Sequence, residues 1–189
     1  MLKHLHQATI IVTMQQTELN KKQLLKQFAE TEQAFYNVLA SFTQKQLNEV
    51  PFEGSWTAAQ VADHMLKSKS GIPELLTGPS RSTLREPDEM VEIISSTFLD
   101  FTTKMKSPDF IIPTNEPVNK EELLKSIAEM RERIKATAAK VDLSDTITSF
   151  PFPGLGEFTG YEWIHFLVCH TKRHTHQLKN IFWILAKPW

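Results

Sequence analysis

The sequence lacks the features that mark several classes of protein. Cys169 is its single cysteine, which excludes an internal disulfide and is typical of a reducing compartment, so we expect a cytoplasmic protein. No apolar run approaches the roughly 20 residues that a membrane-spanning helix needs, so we expect no membrane partner. Neither sign of charge dominates, because 21 lysines and arginines stand against 22 aspartates and glutamates. A nucleic-acid-binding protein usually has a basic excess or a basic patch, so we expect no nucleic acid either.

What the sequence does contain is the composition of an ordinary globular domain. Hydrophobic residues make up 41% of the 189 residues and charged residues 23%, which suits one domain with its own core. We expect an N-terminal extension of residues 1–16 followed by a domain of residues 17–187. The apolar patch at residues 8–12 is too short for a signal peptide. A translation start at Met14 is one hypothesis for the extension, and N-terminal sequencing that found residue 1 in the native protein would refute it.

Apolar residues recur at the three- and four-residue spacing of an amphipathic helix in several segments. The predicted helices cover residues 17–42, 57–69 (or 57–76 with a kink before Pro73), 87–104, 119–141 and 160–186. Thr57 with Gln60 and Thr159 with Glu162 have the spacing of capping boxes, which mark two of the helix starts. No segment alternates as a strand would. Five helices with short connections predict an all-α protein packed as an antiparallel bundle.

Several local details follow from the same patterns. Thr17 or Asn20 is placed to cap the first helix. In the third helix, the apolar spacing puts Ile93 and Phe101 on the inner face. The prolines of residues 107–118 predict an extended connection there.

Two histidines of the last helix have the geometry of a chelating pair. His170 and His174 are four residues apart, about 40° around a helix axis, and they fall on the apolar stripe of Trp163, Leu167 and Leu178. Each inward imidazole must satisfy two ring nitrogens, and an unpaired buried polar group costs about 1–3 kcal/mol. A divalent metal that takes one nitrogen from each ring meets that need, while other acceptors hold the remaining N–H groups.

His64 is the third candidate ligand, because it shares the inward face of the second helix with Val61 and Met65. If the second and last helices are neighbours, three imidazoles converge. Three protein ligands with open positions are typical of catalytic zinc sites, although imidazoles also suit nickel, copper and ferrous iron. The alternative is that His64 is a hydrogen-bonded core residue and that the HxxxH pair arises by chance or faces solvent.

The other histidines, His4, His6, His165 and His176, are predicted not to be ligands. Cys169 lies about 100° from His170 around the helix, so we expect a buried apolar residue there rather than a ligand or nucleophile.

Gln177 shares the face of the histidine pair, where it either fills a polar gap in the core or hydrogen-bonds a metal-bound water. No general base can be assigned. Glu53 is near His64 only in sequence, and Asp63 faces about 100° away from it.

Together these motifs resemble the DinB-like superfamily, including its YfiT-type branch. The resemblance is carried by Gly-Ser-Trp-Thr-Ala-Ala-Gln-Val-Ala-Asp-His at residues 54–64, by Glu162-Trp163-Ile164, and by the H-x3-H-x2-Q motif of residues 170–177. They occur in the family's order and at its helix positions, over roughly residues 17–187. The chain departs from the family mainly in its N-terminal extension and in residues 107–118.

The resemblance implies a four-helix bundle in the order up-down-down-up, with an additional short helix or extension, and frequent homodimers. It also implies a metal ion, usually zinc or nickel, bound by His64, His170 and His174. Members with a known activity include S-transferases that use a low-molecular-weight thiol (bacillithiol, mycothiol or glutathione) and a maleylpyruvate isomerase. Others are only classed as metal-dependent hydrolases.

Three functions are open on this basis. The first is a metal-dependent enzyme whose three-histidine site activates a water molecule or a low-molecular-weight thiol against a small-molecule substrate, as a hydrolase or an S-transferase. The second is a non-catalytic stress-response module that binds metal or a small ligand. The third is a structural bundle with three satisfied core histidines. Metal analysis of untagged protein separates the third from the other two.

Overall fold

The fold is mostly helical in the computed structural model, which describes residues 2–186, with side chains from residue 20 onward. The helices are α1 (Leu2–Ser41), α2 (Gln44–Leu47), α3 (Ala58–Lys69), α4 (Ile72–Leu76), α5 (Val91–Leu99), α6 (Lys120–Lys140) and α7 (Gly160–Leu185). A 3-10 turn (Asp109–Ile111) lies between α5 and α6, and β1 (Ser80–Arg81) pairs antiparallel with β2 (Thr146–Ile147). None of the helices within the described part of the chain is long and apolar enough to cross a membrane.

The bundle is built from the four longest of these helices. Helices α1 and α3 each pack against both α6 and α7. Helix α5 packs on α7, and α4 packs on α6. The second and last predicted helices, which carry the candidate ligands, are therefore direct neighbours.

The apolar core consists of two clusters stacked along the bundle. The first contains Phe28 of α1, Ile134 of α6 and Leu167 of α7. The second contains Phe35 of α1 and Leu178 of α7. Burying each such side chain contributes about 1.5–3 kcal/mol before entropy is counted. The clusters meet between Phe28 and Phe35 on α1 and between Cys169 and Leu178 on α7. The residues between them form a buried layer, and that layer contains the polar groups described below.

The predicted helix starts are confirmed where capping residues marked them. The Gln60 amide donates to the Thr57 hydroxyl at 3.1 Å, and the Thr57 amide donates to the Gln60 side chain at 2.9 Å. The same reciprocal pair of hydrogen bonds joins Thr159 and Glu162 at the start of α7. Helix α3 ends at Lys69, and the segment after it forms the separate helix α4.

Helix α1 begins earlier than predicted. It runs from Leu2, so Thr17 and Asn20 lie within it rather than capping it. The residues before Thr17 contain no proline or glycine to end a helix. The boundary placed after residue 16 falls inside α1 and stays a prediction.

The predicted third helix is too long, because α5 has only nine residues. Its end is set by Asp100, whose carboxylate accepts hydrogen bonds from the amide and the hydroxyl of Thr102 at 3.0 and 2.6 Å. Such local side-chain bonds compete with the helix. Phe101 therefore lies outside α5 and is 44% exposed, and Ile93, 48% exposed, does not face the core either.

The helix count also differs, with seven α-helices rather than five among residues 2–186. Helices α2 and α4 have four and five residues, too few for an apolar period to be visible in the sequence. The two-residue strands escape prediction for the same reason.

Candidate metal centre

Three histidines meet between α3 and α7. His64 is 2% exposed, His170 6% and His174 8%. The Nε2 atom of His170 lies 3.3 Å from Nε2 of His64 and 3.0 Å from Nε2 of His174. One potential ligand atom from each ring lies within 4.8 Å of the other two. The structure therefore brings together the three side chains that the sequence singled out, and their metal ligation stays a prediction.

The nitrogen separations fit a shared cation. Nitrogen ligands at roughly 2.0–2.1 Å from a tetrahedral zinc ion lie about 3.3–3.4 Å from one another. The two separations of 3.3 and 3.0 Å are close to that value. Two of the three separations in the cluster therefore suit imidazole nitrogens that share one tetrahedral ion.

The hydrogen bonds on the far side of two rings determine which nitrogens carry protons. His64 Nδ1 lies 3.0 Å from the carbonyl oxygen of Ile111, and His174 Nδ1 lies 2.8 Å from Oε1 of Gln177. Carbonyl and amide oxygens only accept, so both Nδ1 atoms donate and both Nε2 atoms present lone pairs in the neutral rings. A single proton on Nε2 of His170 satisfies only one of them. A divalent cation satisfies all three Nε2 atoms at once.

Burial keeps these rings neutral, which is the form that binds metal. It lowers the pKa of His64, and it lowers the pKa of His174 to about 3, with the neighbouring His64 adding to the effect. Burial is also the main reason that the pKa of His170 lies well below its ordinary value, followed by the repulsion that a protonated His170 would meet from protonated His174 and His64. The apolar wall includes Phe166, which stacks on His170 with 5.1 Å between ring centroids.

The connection between the 3-10 turn and α6 anchors on α3 beside the site. Besides the Ile111 carbonyl, which holds His64, the Ile112 carbonyl accepts from Lys67 Nζ at 2.8 Å. The amide of Thr114 donates to the Asp63 carboxylate at 2.8 Å. Asp63 is therefore engaged with this connection, in agreement with the expectation that it does not serve His64.

The remaining predicted residues lie elsewhere. His165 Nε2 contacts the Ser95 hydroxyl at 2.8 Å and the Cys169 thiol at 3.4 Å. Cys169 is buried, as predicted, and burial raises the pKa of its thiol. His176 stacks on Phe101 with 4.5 Å between ring centroids. His4 and His6 lie outside the residues whose side chains the structure describes.

Comparisons with known proteins decide the family. The sequence model of the DinB superfamily matches residues 27–178 of this chain. The chain belongs to the DinB superfamily. The family resemblance predicted from the sequence is thereby confirmed.

Two Bacillus subtilis proteins give this DinB-superfamily chain its context. The uncharacterized protein YuaE of strain 168 is 25% identical over 159 residues, which cover 82% of this chain and 94% of YuaE. The solved structure of YfiT matches with a TM-score of 0.58 at 14% identity and covers 89% of each chain. YfiT is described as "a probable metal-dependent hydrolase with an unusual four-helix bundle topology". This likeness confirms the four-helix-bundle fold.

Two features of this DinB-superfamily site were missed in the sequence. Gln177 accepts from His174, so it orients the imidazole of His174 rather than merely filling a polar gap. Near the three histidines, Glu32 and Lys69 form a buried ion pair. Glu32 lies four residues after Phe28 on the inner face of α1. A charged residue within this apolar stripe was the sequence signal that could have revealed the ion pair.

Proposed function

We propose that this protein is a metal-dependent enzyme in which His64, His170 and His174 bind one divalent ion, zinc or nickel, beside a small-molecule substrate. The observation that carries the proposal is the convergence of three Nε2 atoms, two of them from rings whose protons are held on the opposite nitrogen by Ile111 and Gln177. Three protein ligands leave further coordination positions open, which is typical of catalytic rather than structural zinc sites.

When bound, a divalent ion supplies Lewis acidity, and it lowers the pKa of a water molecule to about 7 or keeps a small thiol ionised. Hydrolysis is one form of this chemistry, supported by the description of YfiT. S-transfer from a low-molecular-weight thiol is the other. Asp63 is engaged with Thr114 and Glu32 with Lys69, so in both forms of the chemistry the ion itself would have to ionise the nucleophile.

Metal analysis of untagged protein tests the site. We expect about one equivalent of zinc or nickel in the wild type and strong depletion in His170→Ala, with helicity retained in both because the apolar clusters are untouched. His176→Ala is the matched control, since His176 is on the same helix and stacks on Phe101 outside the cluster. Equal metal content in all three proteins would contradict the proposal.

Turnover separates the two chemistries. The metal-loaded protein is assayed with a halo-aromatic electrophile in the presence and absence of a low-molecular-weight thiol, and separately with ester substrates. Product that forms only with thiol indicates S-transfer, and thiol-independent product indicates hydrolysis. In either case we expect His64→Ala to abolish the activity, and activity that survives this substitution would contradict the assignment.

The second candidate is a non-catalytic metal- or ligand-binding module, which the low exposure of the three histidines favours. It predicts bound metal with slow exchange and no effect on water relaxation when nickel is the ion. Rapid water exchange at the bound ion would refute it.

We further propose that the protein is a cytoplasmic homodimer. The dimer rests on the family resemblance and the location on the single cysteine. Light scattering of the purified protein gives the oligomeric state, and fractionation of the native host gives the location.

A further inference from the structure

A buried polar layer separates the two apolar clusters at the level of the histidines. It contains Glu32 of α1, Lys69 of α3 and Thr171 of α7, which are 1%, 1% and 0% exposed. On α7 the first apolar cluster ends at Cys169 and the second resumes at Leu178. The charged pair therefore shares one layer of the bundle with His170 and His174, and His64 of α3 contacts this layer at His170.

The three residues form a hydrogen-bond network centred on the carboxylate of Glu32. Lys69 Nζ lies 2.7 Å from each carboxylate oxygen of Glu32. The Thr171 hydroxyl donates to Oε1 of the same carboxylate at 2.7 Å. The ammonium also lies 5.6 Å from the centre of the Phe35 ring. The two bonds of Lys69 join α3 to α1, and the bond of Thr171 joins α7 to α1, so the Glu32 carboxylate connects α3 to α7.

Two residues of this network belong to the helices that carry the proposed ligands. Thr171 directly follows His170, and Lys69 is five residues after His64 on α3. Glu32 belongs to α1, none of whose side chains from residue 20 onward is part of the histidine cluster.

Stability alone does not account for a buried ion pair at this position. Removing two charges from water is costly, and apolar replacement of such a pair is often neutral or stabilising. What a hydrogen-bonded pair adds is a defined register, because its bonds form at one relative position of the helices while apolar contacts tolerate sliding.

The relative position of the helices affects only one of the three histidines, His64. His170 and His174 are held at their separation by the geometry of a single helix. His64 comes from α3, so its 3.3 Å distance to His170 depends on how α3 sits against α7.

We propose that Glu32, Lys69 and Thr171 are positioning residues that fix the register of α3 against α7 and so bring His64 into the coordination sphere of the His170–His174 pair. This inference rests on the proposed metal site. It predicts that disrupting the network weakens metal binding without removing any ligand.

The chain offers a matched pair of variants on α7. Thr171→Val removes the hydroxyl that binds Glu32, and Thr175→Val removes a buried hydroxyl whose hydrogen bond goes to the Thr171 carbonyl of its own helix at 2.7 Å. Affinity for cobalt(II) is measured by titration, and the visible absorption of the bound ion reports its coordination. We expect Thr171→Val to alter the spectrum and to weaken affinity roughly tenfold, the low end of the loss that follows removal of a direct hydrogen-bond partner of a ligand. Thr175→Val and the rescue variant Thr171→Ser should match the wild type.

A second variant keeps the test decisive if Thr171→Val is poorly folded. The double replacement Glu32→Leu with Lys69→Met removes both charges together, and we expect it to fold cooperatively in urea while losing cobalt affinity. Wild-type affinity and spectrum in either folded variant would overturn the inference. A wild type that binds no cobalt, zinc or nickel would instead overturn the proposed function, so the two failures are distinguishable.

Discussion

Replacing Gln177 with leucine isolates the contribution of the hydrogen bond that orients His174. The amide oxygen of Gln177 accepts from His174 Nδ1 at 2.8 Å, and this bond leaves Nε2 unprotonated and directed at His170. His174 is only 8% exposed, so water replaces the lost acceptor incompletely. The loss of such an outer partner typically weakens metal affinity by about 10–100-fold. Because Gln177 itself is half-buried, we expect the lower end, about tenfold or 1.4 kcal/mol.

The assay is competitive zinc titration of the untagged protein against a chromophoric chelator. Asn180→Leu is the control, since Asn180 lies less than one turn further along α7 and contacts the exposed His176 instead. Gln177→Glu keeps an acceptor at the same position and should retain the affinity. If Gln177→Leu binds zinc within about twofold of the wild type, the far-side hydrogen bond does not orient the ligand, and the proton assignment argued from it is wrong.

Three further predictions concern the scaffold. Arg85→Met leaves the fully buried Glu162 carboxylate without the guanidinium that lies 2.6 Å away. We expect the free energy of unfolding, measured in urea, to fall by about 3 kcal/mol. This is the low end for a broken buried ion pair, because backbone amides still donate to Glu162. An unchanged urea midpoint would contradict this. Ile134→Ala empties a fully buried site of the first apolar cluster and should cost about 2–5 kcal/mol, measured as a lower Tm. Burial, and next the charge of Lys172, lowers the pKa of His165. As the pH falls, His165 is therefore protonated in the unfolded chain before it is protonated in the folded protein. The contribution of neutral His165 to the free energy of unfolding is complete above about pH 6.5 and declines below it. A midpoint at or above 6.5 in an NMR titration of His165 would refute this.

The features that the sequence predicted well are those encoded within a few residues. Thr57 and Thr159 each meet a capping partner three positions later, and that spacing alone specifies the helix start. The same locality explains the inward placement of His170 and His174, because one helix and its apolar stripe decide it. The five residues from His170 to His174 are enough to define the pair.

The features that escaped prediction depend on partners distant in the chain. Glu32 and Lys69 lie 37 residues apart, and Thr171 lies 139 residues from Glu32, so no local pattern connects them. The acceptor for His64 is a backbone carbonyl at Ile111, and a backbone group carries no signature in the residue type. The predicted length of α5 was wrong for a different reason. The apolar spacing continues to Phe101, but the hydrogen bonds of Asp100 end the helix before that residue.

The cluster combines two kinds of constraint, and they fail under different perturbations. The His170–His174 separation follows from one turn of helix, so it persists as long as α7 is helical. The approach of His64 is a tertiary property, fixed by the packing of α3 on α7 and by the Ile111 carbonyl behind the ring. Mild denaturant should therefore detach α3 from the site before it unwinds α7. Under those conditions the protein would keep weak two-histidine affinity for nickel while it loses the third ligand. Nickel affinity that falls in a single step together with helicity would show instead that α3 and α7 unfold as one cooperative unit.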